Sequence, residues 1–176
     1  MDQLEKSLEG AFKSAPKLPA NGKKMIVEWL PWINLILGIL TLWSAYAIYH
    51  WAHLANSLIN YANSLSQAYS GTNVIASRWS VGIYLSLIVL VVEAALYIMA
   101  FPGLKDRKKA GWNFLFYAAL VNIVYGVVIL FSNYGGAGNF IGSVIGSVIG
   151  LYFLFQVRDA YTGKKAVDTP KPTPAA

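Results

Sequence analysis

Residues 30–51 read LPWINLILGILTLWSAYAIYHW, and no formally charged side chain interrupts them. An α-helix rises about 1.5 Å per residue, so a run of this length crosses the ~30 Å hydrocarbon core of a bilayer. A charge buried there costs kilocalories, so the missing Asp, Glu, Lys and Arg say more than the abundant Leu and Ile. Three further windows pass the same test: residues 79–101, 112–131 and 140–157. The last two are free of charge, and 79–101 carries only Glu93. The four windows predict an all-α integral membrane fold, a four-transmembrane-helix bundle.

Working outward, the composition agrees. The chain has 176 residues, 56% of them hydrophobic and only 12% charged. The charges are gathered into short segments between and beyond the windows, where a water-soluble surface would spread them. The net charge of +6 therefore belongs to loops and tails. It suits an anionic leaflet, and no nucleic acid is expected as a partner. The absence of cysteine removes disulfides, thiolate zinc sites and thiol nucleophiles together. The first apolar run follows a polar leader with no small-residue cleavage site, so it is expected to persist as a signal anchor.

Lys and Arg set the orientation. The leader holds Lys6, Lys13, Lys17, Lys23 and Lys24; the middle loop holds Lys105, Arg107, Lys108 and Lys109; the tail holds Arg158, Lys164, Lys165 and Lys171. Of the fourteen basic residues only Arg78 is left for the other side, at the edge of the second window. The positive-inside rule then places both termini in the cytoplasm, N-in and C-in, on a multi-pass protein of the cytoplasmic (inner) membrane. Trp29, Trp32, Trp51, Trp79 and Trp112 fall at the predicted interfaces as aromatic anchors, and Trp43 lies deep. Pro31 fits a first helical turn, while Pro102 and Gly103 close the second span.

The chain thus divides into a cytoplasmic leader (1–24), the membrane bundle (25–158, with a basic loop at 102–111) and a tail (159–176) whose Pro, Thr and Ala content predicts disorder. In the leader, Leu4, Leu8, Ala11 and Phe12 recur at helical spacing among charged residues, which suggests a short amphipathic helix on the inner membrane surface; a disordered leader is the alternative. Pro16 and Pro19 would end the helix. In the outer segment 53–69, Leu54, Leu58, Tyr61, Leu65 and Tyr69 share one helical face, and Asn56, Asn60, Asn63 and Gln67 the opposite one. This helix either extends the first span outward or lies along the outer surface.

Each window also carries a stripe of small or polar residues. Asn34, Gly38, Thr41 and Ala45 share a face of the first; Gly82, Ser86, Glu93 and Tyr97 of the second; Ala118, Ala119, Asn122 and Gly126 lie in the third. In the fourth, Gly138, Gly142, Gly146 and Gly150 step by four, with Ser143 and Ser147 beside them: a glycine zipper. Helices in lipid associate through close backbone approach and hydrogen bonds, so these stripes are expected to line one inner seam. Tandem GxxxG marks a packing surface without naming the neighbour. Packing within the chain is preferred here, and a second copy or a membrane-protein partner on the fourth span is the alternative.

Glu93, Asn122, Ser86, Asn34, Thr41 and Tyr97 form the candidate intramembrane polar site. No Lys, Arg or His shares the depth of Glu93, and Asn122 is its best partner by level, with Tyr117 and Tyr152 also near. Intramembrane carboxylates commonly carry protons, ions or substrate contacts; the plainer alternative is a hydrogen bond that holds helices together. His50 and His53 are too few for a closed metal site, and the glycine-rich 134–138 lacks the lysine and preceding strand of a phosphate loop, so it reads as a turn. No catalytic constellation, metal or cofactor emerges. The expected function is that of a non-enzymatic structural, accessory or interaction protein, with lipid as its solvent. The alternative is an oligomeric transporter or channel subunit, proton-coupled through Glu93.

Overall fold

The computed structural model describes residues 2–72, 81–130 and 137–163, and every regular element among them is helical. In chain order they are α1 (Asp2–Phe12), α2 (Ala20–Ser70), α3 (Val81–Lys105), α4 (Lys109–Leu130) and α5 (Ala137–Gln156), followed by one 3-10 turn, Arg158–Ala160. Helices α2, α3 and α4 are long and apolar enough to cross a membrane, and α5 contributes a shorter apolar run, Ile141–Gln156. Trp79, Arg78 and residues 164–176 lie outside the described residues. So does most of the glycine-rich 134–138 segment, whose last two residues already belong to α5.

Neighbours in the chain are neighbours in space: α2 packs on α3, α3 on α4 and α4 on α5, while α2 and α5 are not packed along one another. The bundle is therefore open along one edge.

Helix α2 settles the fate of the outer segment, which continues the first span as a single 51-residue helix. It begins ten residues before the apolar window, so Pro31 is an interior residue and not a first-turn one. Hydropathy marks where charges stop, and a helix can start earlier: Asn21, Lys23, Lys24 and Glu28 are all good enough helix residues to be carried along. The buried residues of α2 are Val27, Pro31, Asn34, Gly38, Ala45, Ala52 and Ile59, a seam at steps of three, four and seven. Gly38 is needed where α2 crosses α3, because a Cβ there would lie 3.0 Å from Ile98 Cγ1 and 3.2 Å from Tyr97 Cβ.

The α3–α4 hairpin is tighter. Helix α3 runs through Pro102 and Gly103 to Lys105, correcting the expectation that they close it. It stops in a Schellman motif: Lys108 N–H donates to Gly103 O (2.7 Å) and Arg107 N–H to Leu104 O (3.1 Å), with Arg107 in the left-handed region at φ 53°. Pro102 forfeits the bond its N–H would have given to Ile98 O, but only near the end of the helix, where the two turn bonds close the last carbonyls. Gly103 and Gly111 then meet back to back. A Cβ on Gly103 would sit 2.5 Å from Gly111 N, and one on Gly111 would collide with Leu104 N and Gly103 C.

Beside this crossing lies the core: Val27, Ala100, Leu104, Trp112, Leu115, Phe116, Leu151, Leu154, Val157 and Tyr161. Trp112, expected as an interfacial anchor, is fully buried; its indole N–H donates to Leu154 O at 2.8 Å, tying α4 to α5. Depth places a tryptophan near an interface, but which way the ring points is decided by rotation of the helix. Trp29, Trp32 and Trp51 are exposed.

Candidate functional site

The polar residues of the predicted seam divide into two clusters and three separate residues. At the centre, Asn122 of α4 donates from Nδ2 to Glu93 Oε1 of α3 (3.1 Å) and accepts at Oδ1 from Ser143 Oγ (2.7 Å) and Ser147 Oγ (3.1 Å) of α5. Glu93 and Ser147 are buried. One amide thus fastens three helices, with its donor edge to the carboxyl group and its acceptor edge to the hydroxyls. Three residues further along α4, the Tyr125 hydroxyl is 2.6 Å from Ser86 Oγ, itself bonded to Gly82 O of its own helix. Asn34 and Thr41 turn back on α2, donating to Leu30 O and Leu37 O at 2.8 Å each. Tyr97 packs beside Gly38. The single continuous seam is not formed, because α2 offers its polar groups to its own backbone and faces α3 with Gly38 and Ala45.

The open edge is a groove of about 700 Å³ between α2 and α5. Ile26, Leu30, Ile33 and Leu37 form one wall, and Gly142, Gly146, Gly150 and Phe153 the other; Tyr97, Leu115, Ala119 and Asn122 form its floor. The preferred in-chain packing of the glycine ladder does not occur among the described residues: a Cβ built on Gly138, Gly142, Gly146 or Gly150 meets none of them within 4 Å. Ser143 and Ser147, one residue further round the helix, take the inward position and make the bonds to Asn122. The ladder is left looking into the groove mouth.

The second constellation sits where the leader, the α3–α4 turn and the end of α5 converge. Arg158 bonds Glu5 through one guanidinium nitrogen and Glu9, at 2.7 Å, through another; Lys109 lies 3.7 Å from Glu5. The guanidinium also stands over the Trp112 ring, 5.6 Å from its centroid. Helix α1 therefore forms, as its periodicity predicts, but it is clamped to the bundle: Leu8 and Phe12 pack against the core, and Phe12 stacks on Phe155 at 5.5 Å. Glu5, one of the charged residues of this amphipathic pattern, is buried. The linker follows, with Tyr152 Oη and Gln156 Nε2 both donating to Pro16 O and Leu18 N–H donating to Gln156 Oε1. The start of the tail is ordered as well, since Tyr161 closes the core from below. Its buried hydroxyl has no partner among the described residues, and burial pushes the phenol up to about 12.

Sequence reasoning missed Tyr125, Trp112 as a donor, the Gly103–Gly111 contact and the Arg158 clamp. His50 and His53 stack on Tyr46 and Tyr49 along α2. Compared with protein-family models, curated proteins and solved structures, the chain matches none.

Proposed function

We propose that this chain is a four-span protein of the cytoplasmic membrane, with both termini inside, that acts without catalysis by associating with other membrane helices through its open α2–α5 edge. One observation carries the reading. The glycine ladder of α5, the surface best suited to close helix packing, lies against none of the described residues and borders a groove. Small residues let backbones approach, and that is the main source of helix association in lipid, where apolar burial gains little.

Two further features support it. Glu93 is bonded into a network that three helices share, which suits a carboxyl group serving as a fastener. The leader, the basic loop and the end of α5 meet at Glu5, Lys109 and Arg158, as segments on one side of a membrane would. The second reading, an oligomeric transport subunit, is favoured by one feature: the groove floor includes Asn122, one hydrogen bond from Glu93.

The experiment is crosslinking in intact membranes with Gly146→Leu beside the parent chain. The variant is expected to fold normally, since nothing crowds Gly146, and to lose its crosslinks to neighbouring helices. Unchanged crosslinks would overturn the proposal. Glu93→Gln separates the second reading: a structural bond survives the change, whereas proton-coupled flux in vesicles does not.

A further inference from the structure

The 51 residues of α2 make a rod about 76 Å long, against a hydrocarbon core of ~30 Å. Lying wholly within that core would require a tilt of roughly 65°, beyond the range of about 0–40° that spanning helices adopt. Packing along α3 rules out such a tilt, because α3 is itself of spanning length. The last four or five turns of α2 therefore project into water.

Those turns are built the wrong way round for a lone helix. Leu54, Leu58, Tyr61, Leu65 and Tyr69 are all exposed, from 42% for Leu54 to 90% for Tyr69. At 100° per residue they fall on the face opposite Ala52 and Ile59, which are buried. The amide stripe lies beside that buried face, with Asn56 and Asn63 half-buried and Asn60 and Gln67 exposed. The apolar stripe thus continues, on the same face and at the same steps of three and four, the exposed row that includes Trp29, Ile36 and Trp43. Lipid can cover the lower part of this row, and it cannot reach the upper part.

We infer that this face of α2 is a homotypic interface, closed by α2 of a second copy of the chain running parallel to it. The match follows from geometry. Two copies inserted in one membrane share orientation and depth, so each apolar residue meets its own counterpart at the same height, within the bilayer and above it. No Asp, Glu, Lys or Arg occurs between Pro31 and Thr72, so identical faces meet without repulsion. A row from Met25 to Leu65 is ~60 Å long and ~10 Å wide, which buries about 1,200 Å² in the pair, at the threshold of a stable interface. The inference requires α2 to cross the bilayer, and it is independent of any role for α5.

The cysteine-free chain permits a direct test in native membranes with the full-length protein. Single substitutions Leu58→Cys, Tyr61→Cys and Leu65→Cys are oxidised beside Asn60→Cys and Gln67→Cys. Disulfide-linked dimer should exceed that of the amide face by about tenfold, because a disulfide needs Cβ atoms within ~4.5 Å and the helix is ~10 Å across. Equal yields on both faces, or none on the stripe, would overturn the inference. The double variant Leu58→Glu, Tyr61→Glu touches only exposed positions and should convert dimer to folded monomer; a surviving dimer would overturn it equally. Crosslinking of copies at Gly146→Cys with the stripe silent would reject this interface and leave the α5 proposal standing.

Discussion

The α3–α4 edge and the α2–α5 edge of the bundle both rely on glycine, and they use it for opposite purposes. At Gly103 and Gly111 two backbones touch, and no other residue fits. At Gly142, Gly146 and Gly150 the same absent side chain faces open space. The first edge is then locked by what surrounds it: the Schellman turn below and the buried Trp112 beside it. Across the groove from the second edge, the nearest part of α2 is a mostly apolar wall whose one amide, Asn34, donates to Leu30 O, and among the described residues no hydrogen bond joins that wall to α5. Glycine by itself does not make a contact; a short connection that forces the helices together does, and residues 106–108 supply one only to α3 and α4.

The sharpest way to break this comparison is to make the same substitution on both edges. Gly111→Ala places a methyl group against Leu104 N, Gly103 C and, at 2.9 Å, Ala100 O, all backbone that cannot step aside. It is expected to cost about 3 kcal/mol or more, as overpacking in a tight core does. Gly146→Ala meets nothing and should gain up to ~1 kcal/mol from helix propensity alone. Unfolding of the two variants in detergent micelles measures both. Losses of similar size would remove the distinction between the edges.

The basic end offers the next test. Arg158 is mostly buried between Glu5 and Trp112, so Arg158→Ala leaves a buried carboxylate with only the more distant Lys109. The expected loss is about 3 kcal/mol, near the lower limit for breaking a buried pair. Because α1 is the element released, limited trypsin digestion at Lys13 and Lys17 should accelerate before the bundle itself unfolds. Cleavage at the parental rate would show that the apolar contacts of Leu8 and Phe12 hold α1 alone.

The smallest effect concerns the hairpin turn. Arg107 occupies a left-handed position that an L side chain adopts at a cost of roughly 1 kcal/mol. Arg107→Gly should therefore stabilise the hairpin by up to about that amount, the opposite sign to Gly111→Ala a turn away. A loss of stability would mean that the Arg107 side chain contributes more than its backbone strain removes.

These contrasts separate what the chain's one-dimensional pattern makes legible from what it hides. Apolar runs and their spacing carry the helices, because helix length and face are one-dimensional properties. Residue counting also puts Asn122 level with Glu93, and the bond between them forms. Rotation about a helix axis is different. Trp112 has the depth of an interfacial ring, yet it points inward, and the glycine ladder has the spacing of a packed seam, yet it points outward by the one residue that turns Ser143 and Ser147 inward instead. Long-range partners are equally silent: nothing local to Glu5 marks a guanidinium 153 positions away. Nothing in the sequence around Gly111 signals that Gly103 lies against it.

All of this presupposes a bundle whose leader and tail share one side of the membrane. Single cysteines at Gln3 and Thr162 can be probed with a membrane-impermeant maleimide in intact cells and in inverted vesicles. Both should label in the inverted vesicles and be protected in intact cells. Labelling of one position from each side would require an odd number of crossings and would contradict the arrangement at its root.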